Sequence, residues 1–271
     1  MPRKDLNTDI VFIVPRVVWT FATIRRVSEN VSCTAAPSDG RGISGGMSIT
    51  DASPASVEPA MGGGNAAIAA AKRAARHAAL ARRKTVTATE FTQAQHTLGR
   101  YAGLLCRTLP GHATVAAYAS MGTEPPMDDV LADLLDTGMR VLVPRLGPGA
   151  DDAPAWSELD GLASLHDMPR SGTGGLRPRE PGTRVLAAEA LNEATLILVP
   201  AFAIDTHGIR LGRGAGWYDR ALTHASPSAC IVGVCWPWEL TDTPVPHVGH
   251  DVPVHGVLTP AGLRMIRPLG A

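Results

Sequence analysis

The alternation of apolar and polar positions changes character near residue 65. Before it, apolar runs are few, and residues 33–64 are crowded with Ala, Ser, Pro and Gly. Such a stretch buries too little apolar area to offset its backbone entropy, so residues 1–64 read as a flexible, low-complexity N-terminal extension. Met47 and Met61 both precede the patterned part of the chain, which would suit a translation start later than Met1. From Asn65 an alanine-rich stretch carrying Lys72, Arg73, Arg76, Arg82, Arg83 and Lys84 predicts a helix, because alanine has the highest helix propensity. Thr89 to Leu105 predicts a second, with Phe91, Leu98, Tyr101 and Leu105 near helical spacing. After Pro110-Gly111, Thr114 to Ala119 alternates as a strand, Pro125-Pro126 opens a helix to Leu135, Gly138 closes it, and Met139 to Leu146 reads as a buried strand.

Residues 147–181 are rich in Pro and Gly, with Trp156, Leu159, Leu162 and Leu165 scattered among them, and predict short strands or loops. Beyond them the pattern gives a helix over Arg184 to Leu191, a compact strand over Thr195 to Pro200 and a helix over Tyr218 to His224. A strand over Ala229 to Cys235 and a short final one near Gly256 to Leu258 follow. Apolar strands alternating with helices define an α/β fold of three layers, a mainly parallel sheet with helices on both faces, over a single domain at 65–271.

Composition narrows the classes. The chain has 271 residues with 25 basic and 25 acidic side chains, so its zero formal charge argues against a general nucleic-acid partner. Cys33, Cys106, Cys230 and Cys235 form no C-x-x-C pair and fit reduced thiols in a cytoplasmic protein. The best apolar segment, Val11 to Ile24, is short and interrupted by Pro15 and Arg16, so no membrane partner is expected; a monomer is. Gly42-Ile43-Ser44-Gly45-Gly46 satisfies the G-x-S-x-G pattern, but the strand and helix that a nucleophile elbow requires are missing around it.

The chemistry-bearing segment runs from Gly208 to Arg220, directly after the strand ending at Pro200. Ligands of open α/β sheets lie beyond the carboxyl ends of strands, so a site belongs at this junction. Gly212, Gly214 and Gly216 let backbone amides approach an anion without an intervening β-carbon. The following helix would direct its positive end there, and Arg210, Arg213 and Arg220 would add charge-assisted hydrogen bonds. The spacing is neither a Walker A loop nor a dinucleotide fingerprint. Asp205 and Asp219 either hold Mg²⁺ or fix an arginine. Trp217 and Tyr218 offer flat apolar surface to a ring system, or pack in the core.

These residues, with their ordered companions, resemble the 5-formyltetrahydrofolate cyclo-ligase family. The resemblance rests on Leu196-Ile197-Leu198-Val199-Pro200, Asp205, Gly208, Arg210-Leu211-Gly212-Arg213-Gly214, Gly216 and Tyr218-Asp219-Arg220. It extends to Lys72, Arg73 and Arg76, then Arg82-Arg83, Tyr118, Glu124, Val143-Pro144-Arg145, Glu180-Pro181, Pro246 and His250-Asp251. Ile204 and Trp217 stand where the family usually has Phe and Tyr, and His255 and Pro260 where acidic residues are common. The resemblance implies ATP-dependent conversion of 5-formyltetrahydrofolate to 5,10-methenyltetrahydrofolate, with ADP and phosphate released and Mg²⁺ required. Phosphorylation of the formamide oxygen would make it a leaving group, after which folate N10 closes the ring.

On the same resemblance, Arg210, Arg213 and Tyr218 are the catalytic candidates. ATP would be held by Lys72, Arg73, Arg76, Gly212, Gly214, Ala215, Gly216, Trp217 and Asp219, and Mg²⁺ by Asp205 or Asp219. The folate would meet Met121, Glu124, Trp156 and Tyr218, with Glu124 accepting hydrogen bonds from the pterin amide and amine. From the residues alone, Glu124 serves equally as a cap for the helix that Pro125-Pro126 opens. Two other functions compete: a folate- or nucleotide-binding protein without turnover, and a metal-dependent hydrolase built on His247, His250, Asp251 and His255. The histidine set lacks H-E-x-x-H spacing, and Pro246 and Pro253 break any helix that would align it.

Overall fold

The computed structural model describes residues 10–14, 17–21, 61–146, 153–169, 176–247 and 251–268. Within the stretch expected as an extension, β1 (Ile10–Val14) and β2 (Val17–Phe21) pair antiparallel, as their β-branched and aromatic composition favours. Helix α1 (Met61–Arg83) starts ahead of the alanine run, and α2 (Ala88–Cys106) follows. A capping box fixes the start of α2: Glu90 N donates to Thr87 Oγ1 at 3.2 Å, and Thr87 N donates to Glu90 Oε2 at 2.8 Å.

The chain continues through β3 (Thr114–Ala116), α3 (Asp128–Asp136), β4 (Arg140–Arg145), β5 (Ala155–Leu159), β6 (Leu165–His166), β7 (Glu180–Pro181) and β8 (Val185–Leu186). Then come β9 (Ala194–Pro200), β10 (Ala203–Asp205), β11 (Arg210–Leu211), α4 (Trp217–Leu222) and β12 (Cys230–Val234). The last strands are β13 (Leu240–Thr241), β14 (Gly256–Thr259) and β15 (Gly262–Met265).

The eight-stranded sheet has the order β15-β14-β12-β9-β3-β4-β5-β8. Its centre, β14-β12-β9-β3-β4, is parallel throughout, and antiparallel strands are confined to the margins. From β3 the chain winds outward to β4, and from β9 it winds the opposite way to β12 and β14. The order therefore reverses between β3 and β9, which makes the crevice beyond their carboxyl ends the topological switch point.

Alternation along β9 sorts the core into two layers. Leu196 and Leu198 join α2 and α3 through Leu98, Leu105, Leu131 and Leu134, whereas Ile197 and Val199 face Leu191, Ala221 and Leu222. Each leucine, isoleucine or valine fully buried here contributes about 1.5–3 kcal/mol. The three-layer arrangement expected from the pattern is thus present. Gly138 closes α3 in the left-handed region at φ 76°.

Three expectations are corrected. Residues 184–191 are not a helix but β8, an edge strand paired with Trp156 and Ser157, followed by a 3₁₀ turn at Ala188–Glu193; the apolar run is too short to sustain α-helix against an available sheet edge. Helix α3 starts at Asp128, not at Pro125-Pro126: Pro126 keeps Pro125 out of α geometry, and Met127, at φ −113°, is the N-cap. The strand at Gly256 is not the last: Gly262, at φ 145°, turns the chain into β15. The G-x-S-x-G segment lies outside the described residues.

Candidate active site at the switch point

Beyond β9 the chain turns back on itself, and Asp205 makes that turn. Its Oδ1 accepts from His207 N at 2.9 Å and Ile209 N at 3.0 Å, and its Oδ2 accepts from Val245 N at 2.9 Å. Gly208 sits at φ 81°, where a β-carbon would fall 2.4 Å from Val254 O, so only glycine fits. Asp205 is 2% exposed and its oxygens are engaged by backbone amides. Its carboxylate holds the turn that aims Arg210 inward.

Arg210 is buried and donates from Nη2 to Asp219 Oδ1 at 2.6 Å, while its Nε has no hydrogen-bond partner among the described residues. A buried, unpartnered guanidinium donor is costly, and it points a charged N–H into the crevice side of the loop where an acceptor would be stabilised. Between Arg210 and α4 the loop is shaped by arginines acting on its carbonyls: Arg76 Nε donates to Gly212 O at 2.7 Å, and Arg220 Nη1 to Ala215 O at 3.0 Å. Gly214 has φ 103°, and a β-carbon there would meet Arg76 Cζ at 3.0 Å. Gly216, at φ 66°, caps α4. That helix has six residues, so little of the loop's attraction for anions comes from a helix dipole. Burial first, then Arg73, pushes the Arg76 guanidinium below its ordinary value, with Asp251 opposing. Arg73 itself is exposed.

On the other side of the crevice, the chain leaving β3 folds into a short turn. Glu124 N donates to Met121 O at 3.1 Å, and Met121 N donates to Glu124 Oε2 at 2.9 Å. Arg213 Nε reaches Glu124 Oε1 at 2.9 Å. Helix α3 takes no side-chain cap, so the capping role for Glu124 is set aside. The loop after β12 completes the wall, with Trp236 Nε1 donating to Thr123 O at 3.1 Å.

Tyr218 packs edge-on against Trp217 with ring centroids 4.9 Å apart, and Trp217 against Trp156 at 5.2 Å. Burial, followed by the Glu124 carboxylate, pushes the Tyr218 hydroxyl far above its ordinary range, with Arg210 opposing. Tyr218 therefore stays protonated. Trp156 is 1% exposed and lies behind its edge contact with Trp217.

Two contacts were not foreseen. Asp251, named in the sequence only through the resemblance and the histidine set, pairs with Lys72 Nζ at 2.8 Å, 179 positions away, a pairing that carries no local signal. Glu239, 4% exposed, receives Arg83 at 2.6 and 2.9 Å, while Arg83 also donates to Ala201 O and stacks on Phe202. This buried clamp docks the end of α1 beside β9. The proposed histidine cluster has no support: His255 Nδ1 accepts from Ile231 N, His250 lies outside the described residues, and no metal-binding group forms among those described.

Fold and site together define a doubly wound α/β protein that presents a cationic, glycine-rich anion loop to a buried carboxylate across its switch point. The model of the 5-formyltetrahydrofolate cyclo-ligase family matches residues 68–260, and the chain belongs to that family. It is 42% identical over 150 residues, 54% of this chain and 73% of the relative, to a 5-formyltetrahydrofolate cyclo-ligase of Mycolicibacterium smegmatis. It is 28% identical to the Escherichia coli K12 enzyme of that name over 174 residues, 62% of this chain and 90% of the relative. Among solved structures, the fold matches the 5,10-methenyltetrahydrofolate synthetase of Aquifex aeolicus with a TM-score of 0.56 and 22% identity, covering 72% of this chain and 93% of that one. The synthetase of Mycoplasma pneumoniae matches with a TM-score of 0.53 and 18% identity, covering 69% and 97%.

Proposed function

We propose that the chain converts 5-formyltetrahydrofolate to 5,10-methenyltetrahydrofolate with cleavage of ATP to ADP and phosphate. The observation that carries this reading is the 2.9 Å contact between Arg213 of the glycine loop and Glu124 of the opposite turn, because it joins an anion-binding side and a carboxylate side in one crevice. Phosphoryl transfer needs positioning and charge stabilisation more than a protein nucleophile, and this site is rich in both. Phosphate binding at the loop is supported by Gly214 and Gly216, which adopt positive φ, and by the buried Arg210 Nε, a charged donor without a partner among the described residues. Lys72 and Arg76 approach the loop from α1 and supply further positive charge, and Arg73 adds to it at longer range.

Mg²⁺ would be held by Asp219, whose side chain is 24% exposed, with Asp251 the other carboxylate near the loop; when bound, the ion neutralises charge on the phosphate oxygens. Glu124 accepts from the amide and amine edge of the pterin, the protonated Tyr218 donates to the reacting end of the folate, and Trp217 and Met121 flank its rings. Arg210 and Arg213 stabilise charge as the formamide oxygen takes the phosphoryl group. Residues 65–271 act as one catalytic unit, a monomer in the cytoplasm, with the segment before it dispensable for turnover. Among the described residues no helix is long and apolar enough to cross a membrane.

The test is stoichiometric. Quenched reactions of purified protein with both substrates and Mg²⁺, resolved by chromatography, should release one ADP for each 5-formyltetrahydrofolate consumed. ADP release that continues unchanged without folate would reject the reading, and binding of both substrates without consumption of either would assign the chain to the non-catalytic binding class.

A further inference from the structure

We infer that the Glu124–Arg213 ion pair is a latch through which the two substrates promote each other's binding: the pterin displaces Arg213 from Glu124, and the freed guanidinium turns to the phosphates. The inference rests on the functional reading above and assigns a second state to its central contact.

The starting point is unequal burial. The Glu124 side chain is 2% exposed and that of Arg213 40%, so the carboxylate is fixed and the arginine is the movable partner. Glu124 is anchored twice from its own turn, through Met121 N on Oε2 and through its own amide on Met121 O. Arg213 holds it by a single bond from Nε and otherwise lies over the Phe202 ring, 5.6 Å from the centroid. Phe202 is itself immobilised by Arg83, 4.2 Å from the same ring, and offers Arg213 a fixed surface on which to swing. Gly212 and Gly214 flank Arg213, and the latter already occupies the left-handed region.

A carboxylate this deep cannot surrender a hydrogen-bond donor unless another donor takes its place. The pterin supplies one: its ring N–H and 2-amino group form a planar fork of donors, the same pattern that a guanidinium end presents to a carboxylate. Arginine and pterin thus compete for one acceptor. When the pterin wins, the positive charge of Arg213 loses its counter-ion within the same loop as the buried Arg210, whose Nε has no acceptor among the described residues. The nucleotide then gains a cation it does not have in the folate-free protein. Linkage makes the effect reciprocal, so bound nucleotide draws Arg213 off Glu124 and clears the folate site.

The experiment is calorimetric titration of the full chain with Mg²⁺ and a non-hydrolysable β,γ-methylene analogue of ATP, without and with saturating 5-formyltetrahydrofolate. Folate should tighten nucleotide binding by about tenfold, within the usual range of couplings between sites. In Glu124→Gln, which releases Arg213, the free protein should bind the analogue about tenfold more tightly than wild type. In Arg213→Ala, which removes the competitor, 5-formyltetrahydrofolate should bind more tightly while turnover falls. Unchanged or weaker nucleotide binding in Glu124→Gln, or weaker folate binding in Arg213→Ala, overturns the latch. Product formation by the wild type, measured in parallel, keeps the two questions apart: turnover without coupling removes the latch alone, and coupling without turnover removes the catalytic reading alone.

Discussion

Asp205 illustrates how a carboxylate next to a phosphate loop can belong to the backbone. Three amides converge on it, and bonds from a charged acceptor are worth about 1.5–3 kcal/mol each. Asp205→Ala is therefore expected to lower unfolding stability by about 3 kcal/mol or more in urea denaturation. At temperatures where that variant remains folded, its Mg²⁺ requirement should match wild type. Asp219→Asn, which keeps the Oδ1 acceptor for Arg210 but not the charge, should raise the Mg²⁺ concentration needed for half-maximal rate and cost less stability than Asp205→Ala. Sequence reading could not separate the two aspartates, because each stands beside glycines and arginines and only the turn geometry shows which one faces inward. Arg210, by contrast, was legible: an arginine between a strand end and a glycine run has few other uses.

At the scale of elements, the glycine loop and α1 work as a unit. Arg76 props the Gly212 carbonyl and packs under Gly214, so a methyl group there meets both an unfavourable φ and a guanidinium. Gly214→Ala should weaken nucleotide binding in calorimetry by at least tenfold, while costing only about 1–3 kcal/mol of stability from the backbone strain. At the other end of α1, Arg83→Ala leaves Glu239 buried without its cation and should cost about 3–5 kcal/mol by denaturant titration. The helix itself was evident from its alanine content, and the Thr87-x-x-Glu90 box stands in the sequence as well. The partners of α1 were not: Gly212, Asp251 and Glu239 lie more than a hundred positions away, and no periodicity within a helix encodes which distant loop it will touch.

At the scale of the whole molecule, the reversal of winding between β3 and β9 brings the loop after each strand to one crevice, and the reaction depends on that convergence. The parallel centre was readable because doubly covered strands are continuous apolar runs, as in Leu196 to Val199. The antiparallel margins were not, since short edge strands such as β8 are fixed by pairing rather than composition. His255 lies in this margin, beside β12 and β15. Burial and then Arg267 push its imidazole below the ordinary 6.5, and protonation would remove the bond its Nδ1 accepts from Ile231 N. The unfolded chain therefore takes up this proton more readily than the folded one. Stability from His255 is complete above pH 6.5 and declines as the pH falls below it. Wild type should lose Tm over that window by more than His255→Asn does.

The central claim joins both sides of the crevice in one reaction, and the appearance of the methenyl product tests it most directly. Absorbance should rise when the protein is mixed with 5-formyltetrahydrofolate, ATP and Mg²⁺, and should stay flat when ATP is omitted. No rise in the complete mixture, from protein shown to be folded and to bind both substrates, would contradict the account.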